Sequence, residues 1–88
     1  HWRMYLEKQV YVYNIAFDPH AEKEFLKLEK NAQQQLIGKL NDLKQGIFTN
    51  DKALRGKHQG KYRKRAGNYR IIYLKENQLV LITIIRIA

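Results

Sequence analysis

The spacing of apolar residues changes period at Asp18. Over residues 10–17, Tyr11, Tyr13, Ile15 and Phe17 fall on one face of an extended segment, and Val10, Val12, Asn14 and Ala16 on the other. Aromatic and branched residues with period two predict a β-strand. Asp18-Pro19 then predicts a helix start, with Asp capping free N–H groups and Pro fitting the first helical position. Ala21, Phe25 and Leu28 follow at helical spacing, and Lys23, Lys27, Lys30, Glu22 and Glu29 make the wet side. A second helix is predicted over 31–45, with Ala32, Leu36, Leu40 and Leu43 as its buried stripe and Gly46 as its stop. The two helices should form a short antiparallel hairpin.

Residues 48–59 carry no period and read as a loop. Residues 60–66 and 69–74 read as strands joined by a tight turn, with Gly67 and Asn68 tolerating positive φ. Glu76-Asn77-Gln78 reads as a turn. Residues 79–87 are apolar at nearly every position, Thr83 and Arg86 excepted. Both faces of that strand should be covered, which suits a central place in the sheet. The predicted class is α+β: an N-terminal strand, a two-helix hairpin, then an antiparallel three-stranded meander, with the helices packed on one face. There is no internal repeat or Pro/Gly-rich linker, so one domain over 1–88 is expected. Residues 1–3 precede Met4, which reads as the native start.

Charge changes this picture most. Residues 52–70 carry eight of the seventeen Lys and Arg and no Asp or Glu; the rest of the chain holds nine basic residues against eight acidic. A solvated surface ordinarily mixes signs, since like charges destabilise the compact state. A one-sign block points to a polyanion, nucleic acid first, then an acidic protein segment or an anionic membrane. The longest apolar run is far shorter than the ~20 residues of a spanning helix, and no secretory leader is visible. A cytoplasmic protein with no membrane association is expected. The chain has no Cys and no Ser, so thiol and serine nucleophiles and thiolate metal sites are excluded. No cofactor or metal is expected, and no pair of carboxylates is spaced for acid–base work: Asp18 reads as a cap, and Asp42 and Asp51 as isolated residues.

In Tyr62-Arg63-Lys64-Arg65, alternation sends Arg63 and Arg65 to one face with Lys61, and Tyr62 and Lys64 to the other. Guanidinium groups match phosphate oxygens in a bidentate fork and stay charged. Arg70 stands in Tyr69-Arg70-Ile71-Ile72-Tyr73, among core-type residues where a lone charge is expensive without an anionic partner. An internal ion pair is the alternative to a phosphate role there. Arg86 reads as a residue emerging at a strand end. Lys52, Arg55, Lys57, His58 and Lys64 are the remaining candidates for phosphate contact.

At these residues the chain resembles the RelE/ParE superfamily of bacterial toxins from type II toxin–antitoxin pairs. The resemblance is carried by residues 15–25 opening the first helix, by Leu54-Arg55-Gly56, and by residues 62–73, which read Tyr-Arg-Lys-Arg-Ala-Gly-Asn-Tyr-Arg-Ile-Ile-Tyr. It implies a RelE-like fold and a toxin that either cuts mRNA in the ribosome or, as ParE-like members do, poisons DNA gyrase. A third alternative is a binding module for RNA or antitoxin without chemistry. In RelE-like sites the substrate's own 2′-hydroxyl attacks the adjacent phosphate, with Lys and Arg replacing the usual acid–base pair. Carried over by position, Lys61, Arg63, Arg65 and Arg70 would be the catalytic set, Arg55 would support RNA contact, and Tyr62 or Tyr73 would stack on a base. The partners implied are a cognate antitoxin, the ribosome and mRNA. Family members continue beyond the segment matching 82–88 with an Arg-containing stretch ending near a Tyr. The sequence stops at Ala88, so an impaired nuclease is the expectation for this form.

Overall fold

The computed structural model describes residues 12–88, and the first part of the strand expected over 10–17 lies outside them. The elements run β1 (Asn14–Phe17), α1 (Pro19–Leu26), α2 (Lys30–Lys44), β2 (Lys52–Ala53), β3 (Lys61–Ala66), β4 (Tyr69–Glu76) and β5 (Leu81–Ile87). Short 3₁₀ turns occupy Gly56–His58 and Asn77–Leu79. The five strands form one sheet in the order β1-β5-β4-β3-β2, with β1 parallel to β5 and every other pair antiparallel. The class is α+β, and β5 is an interior strand between β1 and β4. Only one of its faces is buried, by Ile82, Ile84 and Ile87, and not both as its apolar run suggests, because the helices cover a single side of the sheet.

Local chemistry sets the helix boundaries. Asp18 caps α1, its Oδ1 accepting from the His20 N–H at 2.9 Å, and Pro19 takes the first helical position. Helix α2 ends in a Schellman motif: Ile47 N–H donates to the Asp42 carbonyl and Gly46 N–H to the Leu43 carbonyl. Gly46 has φ 76°, where a side chain would be strained. The β3–β4 turn has positive φ at Gly67 alone (62°), the pattern of a II′ hairpin, so Asn68 does not take the expected left-handed conformation. A Cβ at Gly67 would meet the end of the Gln35 side chain of α2, which would have to swing aside.

The core lies between the helices and one face of the sheet. Ala21, Leu36, Leu40 and Leu43 from the helices meet Ile71, Tyr73, Ile82, Ile84 and Ile87 from the strands. At ~0.8 kcal/mol per buried CH₂, this contact supplies most of the stabilisation available to so small a unit. Strand pairing fixes which residues share that face. Tyr62 pairs with Tyr73, which pairs with Ile84; Lys64 pairs with Ile71, which pairs with Ile87. Among the described residues the other face carries no helix.

The loop expected over 48–59 contains strand β2, which the sequence does not announce: two residues, both exposed, have no period to read. Inside this loop Asp51 is not isolated. It accepts from Lys64 Nζ at 3.0 Å and from the Tyr73 hydroxyl at 2.5 Å, and its side chain is 3% exposed. Desolvation first, then the hydrogen bond to Asp51, pushes the Tyr73 phenol far above its usual range.

Candidate nucleic-acid interface

The helix-free face is built by strand register. Lys52 pairs with Arg63, Arg63 with Ile72, and Ile72 with Arg86, so these four residues form a row across β2, β3, β4 and β5. Arg65 pairs with Arg70 in the next row, and Lys61 with Leu74 on the other side. Directly opposed residues hold their Cβ atoms about 5 Å apart. Arg63 and Arg86, two strands apart, are therefore roughly 10 Å from each other at the backbone, with Ile72 between them.

A shallow cavity of ≈ 300 Å³ lies over this region, lined by Leu54, Lys61, Arg63, Arg70, Ile72, Ile85, Arg86 and Ala88. Four cations surround an apolar floor of Leu54, Ile72 and Ile85, and no Asp or Glu is among the described lining residues. Apolar surroundings strengthen each charge's action on an anion by lowering the local dielectric response. Arg70 is held in place through its backbone, which exchanges hydrogen bonds with Ala88 at 2.8 and 3.0 Å.

Arg65 and Arg70 add a second indication of an anionic partner. Both are exposed and directly opposed on one face, and like charges in that position destabilise a sheet. Among the described residues neither has a carboxylate at ion-pair distance. A polyanion laid across the pair relieves the repulsion.

The structure gathers part of the expected set and disperses the rest. Lys61, Arg63 and Arg70 share the central cavity. Arg65 lies beside an adjoining one of ≈ 380 Å³ that wraps the β2 edge, where Lys39, Lys52 and Arg63 are joined by the Asp51–Lys64 pair. Arg55, on the loop after β2, and Lys57, in the 3₁₀ turn that also holds His58, are exposed and outside the central cavity's lining. Arg70 is not the buried lone charge its apolar neighbours suggest; β4 alternates, and Arg70 takes the open face while Ile71 and Tyr73 take the core.

Lys64 corrects an expectation. It points to the helix side, 5% exposed, and spends its charge on Asp51. Tyr62 and Tyr73 are likewise turned from the open face. Tyr73 has no exposed surface, and its ring stacks on Tyr62 at 5.6 Å and on Phe48 at 6.2 Å. Lys75 Nζ caps this aromatic stack, 4.2 Å from the Phe48 ring centre and 4.8 Å from that of Tyr62.

Two cations come from outside the basic block. Lys39 is a helix residue whose spacing marks only a wet face. Arg86 reaches the open face through a β-bulge: Ile72 pairs with Arg86 while the next residue, Tyr73, pairs with Ile84, which leaves Ile85 as the extra residue. Without it, strict alternation from Ile82 and Ile84 would turn Arg86 into the core.

Two helices on one side of a five-stranded sheet, with a basic open face on the other, make the RelE-like toxin fold. The toxin in the E. coli RelBE toxin–antitoxin complex has 30% identity and a TM-score of 0.70, covering 86% of this chain and 94% of that one. The RelBE2 complex of Mycobacterium tuberculosis gives a TM-score of 0.78 at 23% identity, over 86% and 95% of the two chains. The archaeal RelE–RelB complex of Pyrococcus horikoshii OT3 gives 0.74 at 22%, over 86% and 92%. Comparison with curated protein sequences gives no match. The family model described as the ParE toxin of the type II toxin–antitoxin system parDE matches residues 15–88. The chain belongs to this family, within the RelE/ParE superfamily of type II toxins.

Proposed function

We propose that this toxin acts on RNA, as an mRNA endoribonuclease working in the ribosome. The observation that carries this reading is the convergence of Lys61, Arg63 and Arg70 on one cavity whose described lining includes no Asp or Glu. Cleavage within RNA needs no external nucleophile. The 2′-oxygen bonds to phosphorus, the bond from phosphorus to O5′ breaks, and a 2′,3′-cyclic phosphate and a 5′-hydroxyl result. The 2′-hydroxyl proton passes to solvent, and O5′ takes up a proton as it leaves. The crowded phosphorane between these events carries additional negative charge, which Arg63 and Arg70 are placed to neutralise. Lys61 can give up a proton where a guanidinium cannot, and serves as donor to O5′.

The partners under this reading are mRNA, the ribosome and a cognate antitoxin. The antitoxin would be an acidic or amphipathic segment that covers the basic face and silences it; the toxin–antitoxin complexes among the similar structures support such a partner. The place of action is the cytoplasm. No helix among the described residues is long and apolar enough to cross a membrane.

The ParE description of the matching family favours a second reading, inhibition of DNA gyrase through protein contacts. Paired assays discriminate between the two. Purified toxin is added to ribosomes programmed with mRNA and, separately, to gyrase on relaxed plasmid. New mRNA ends with unimpaired supercoiling support the nuclease; intact mRNA with blocked supercoiling supports the gyrase inhibitor.

A further inference from the structure

We infer that Arg86 is a phosphate-contacting residue of the basic face, and that Glu24 of α1 is the counter-ion it gives up when RNA binds. This rests on the RNA reading above. Strand β1 ends at Phe17, so among the described residues the outer edge of β5 beyond Ile84 has no strand partner. Helix α1 covers that edge with Glu24: its Oε1 accepts from the Ile87 N–H at 2.9 Å, and its Oε2 faces Arg86 Nη2 at 3.3 Å. One carboxylate thus closes an open backbone donor and holds an arginine.

The two contacts differ in strength and in consequence. The backbone bond is part-buried and fixes Glu24 whatever Arg86 does. The ion pair is a single contact with an arginine side chain 63% exposed, a class of interaction that water and salt weaken. Arg86 has further N–H donors and also lines the central cavity with Lys61, Arg63 and Arg70. A phosphate there competes with Glu24 for the guanidinium and offers it a bidentate contact. In free protein Glu24 offsets Arg86; in the complex Arg86 turns to phosphate.

The test is the affinity of the purified full chain for a single-stranded RNA oligonucleotide, measured across salt. Each phosphate neutralised contributes about 0.7 to the slope of log affinity against log salt. Arg86→Ala should weaken binding about tenfold at low salt and flatten the slope by about 0.7. Arg86→Lys should keep the slope, because the charge remains. Glu24→Gln keeps an acceptor for Ile87, so the fold is preserved, and it should tighten binding about threefold. That gain should shrink when Arg86 is already Ala. A gain of equal size in both backgrounds, or an unchanged slope for Arg86→Ala, overturns the inference. Arg70→Ala separates the two levels. If it flattens the slope and Arg86→Ala does not, only the role of Arg86 fails; if neither does, the RNA reading fails with it.

Discussion

Arg63 and Arg86 lie in one row across the sheet, joined through Ile72, which pairs with both. They are 23 positions apart in the chain (86 − 63), and only one of them belongs to the basic block. Their shared row depends on the bulge at Ile85. The open face is therefore a product of topology as much as of composition, and it can be probed by changing charges without disturbing the core behind it.

Arg65 and Arg70 should show a trade between stability and binding. In Arg65→Glu a repelling cross-strand pair becomes an attracting one, with a gain of about 0.5–1 kcal/mol. The same change removes a cation from the open face and adds an anion. Urea unfolding should shift to a higher midpoint while RNA affinity falls and its salt slope flattens. A variant that loses stability and keeps its RNA affinity would contradict the placement of the pair.

Asp51 and Lys64 form a buried ion pair with nothing to spare. Asp51→Ala leaves the Lys64 ammonium under the helices without its carboxylate, at a cost of about 3–5 kcal/mol. Combining it with Lys64→Met removes the stranded charge and should recover most of that loss. Denaturant midpoints of the two single variants and the double variant measure the coupling. Simple additivity would show that the pair is not buried as described.

Tyr73 supplies a pH dependence. Its phenol is raised in the folded state, so the native protein keeps a proton that the unfolded chain loses above about pH 10. Stability is fully present below that pH and falls as pH rises beyond it, by about 1.4 kcal/mol per unit for one proton. The comparison that counts is with Tyr73→Phe, which shares every other titratable group with the wild type. That variant loses its bond to Asp51 and should be less stable at pH 7 by about 1–3 kcal/mol. Between pH 10 and 12 its stability should decline less steeply than that of wild type, and parallel curves would contradict a buried, proton-retaining Tyr73.

Legibility from sequence followed the length over which a pattern repeats. Helix α2 and strand β5 carry long apolar stripes, and both are readable, including the interior place of β5, but not that one of its faces stays open. Alternation in Tyr62-Arg63-Lys64-Arg65 assigned the two faces of β3, and so placed Lys61 and Arg63 with the cation face. The same alternation put Lys64 on the opposite face, yet its charge grouped it with the RNA-contacting candidates. Only the fold reveals Asp51 waiting there, because the contact joins a patternless loop to a strand 13 residues on. Strand β2 is too short for periodicity to register. Arg86 was hidden for a different reason: a bulge reverses the parity on which any alternation argument depends, and nothing in Ile84-Ile85-Arg86-Ile87 marks where the extra residue falls.

The direct measurement of the central claim is the chemistry of RNA ends. Ribosomes programmed with a defined mRNA are incubated with purified protein, and the new 3′ ends are tested for a 2′,3′-cyclic phosphate. Cuts ending in the cyclic phosphate are predicted, slowed about a hundredfold or more in Arg70→Ala, since one lost electrostatic contact to the transition state costs on that order. Intact mRNA, or cutting at the same rate by the Arg70→Ala protein, would contradict the account.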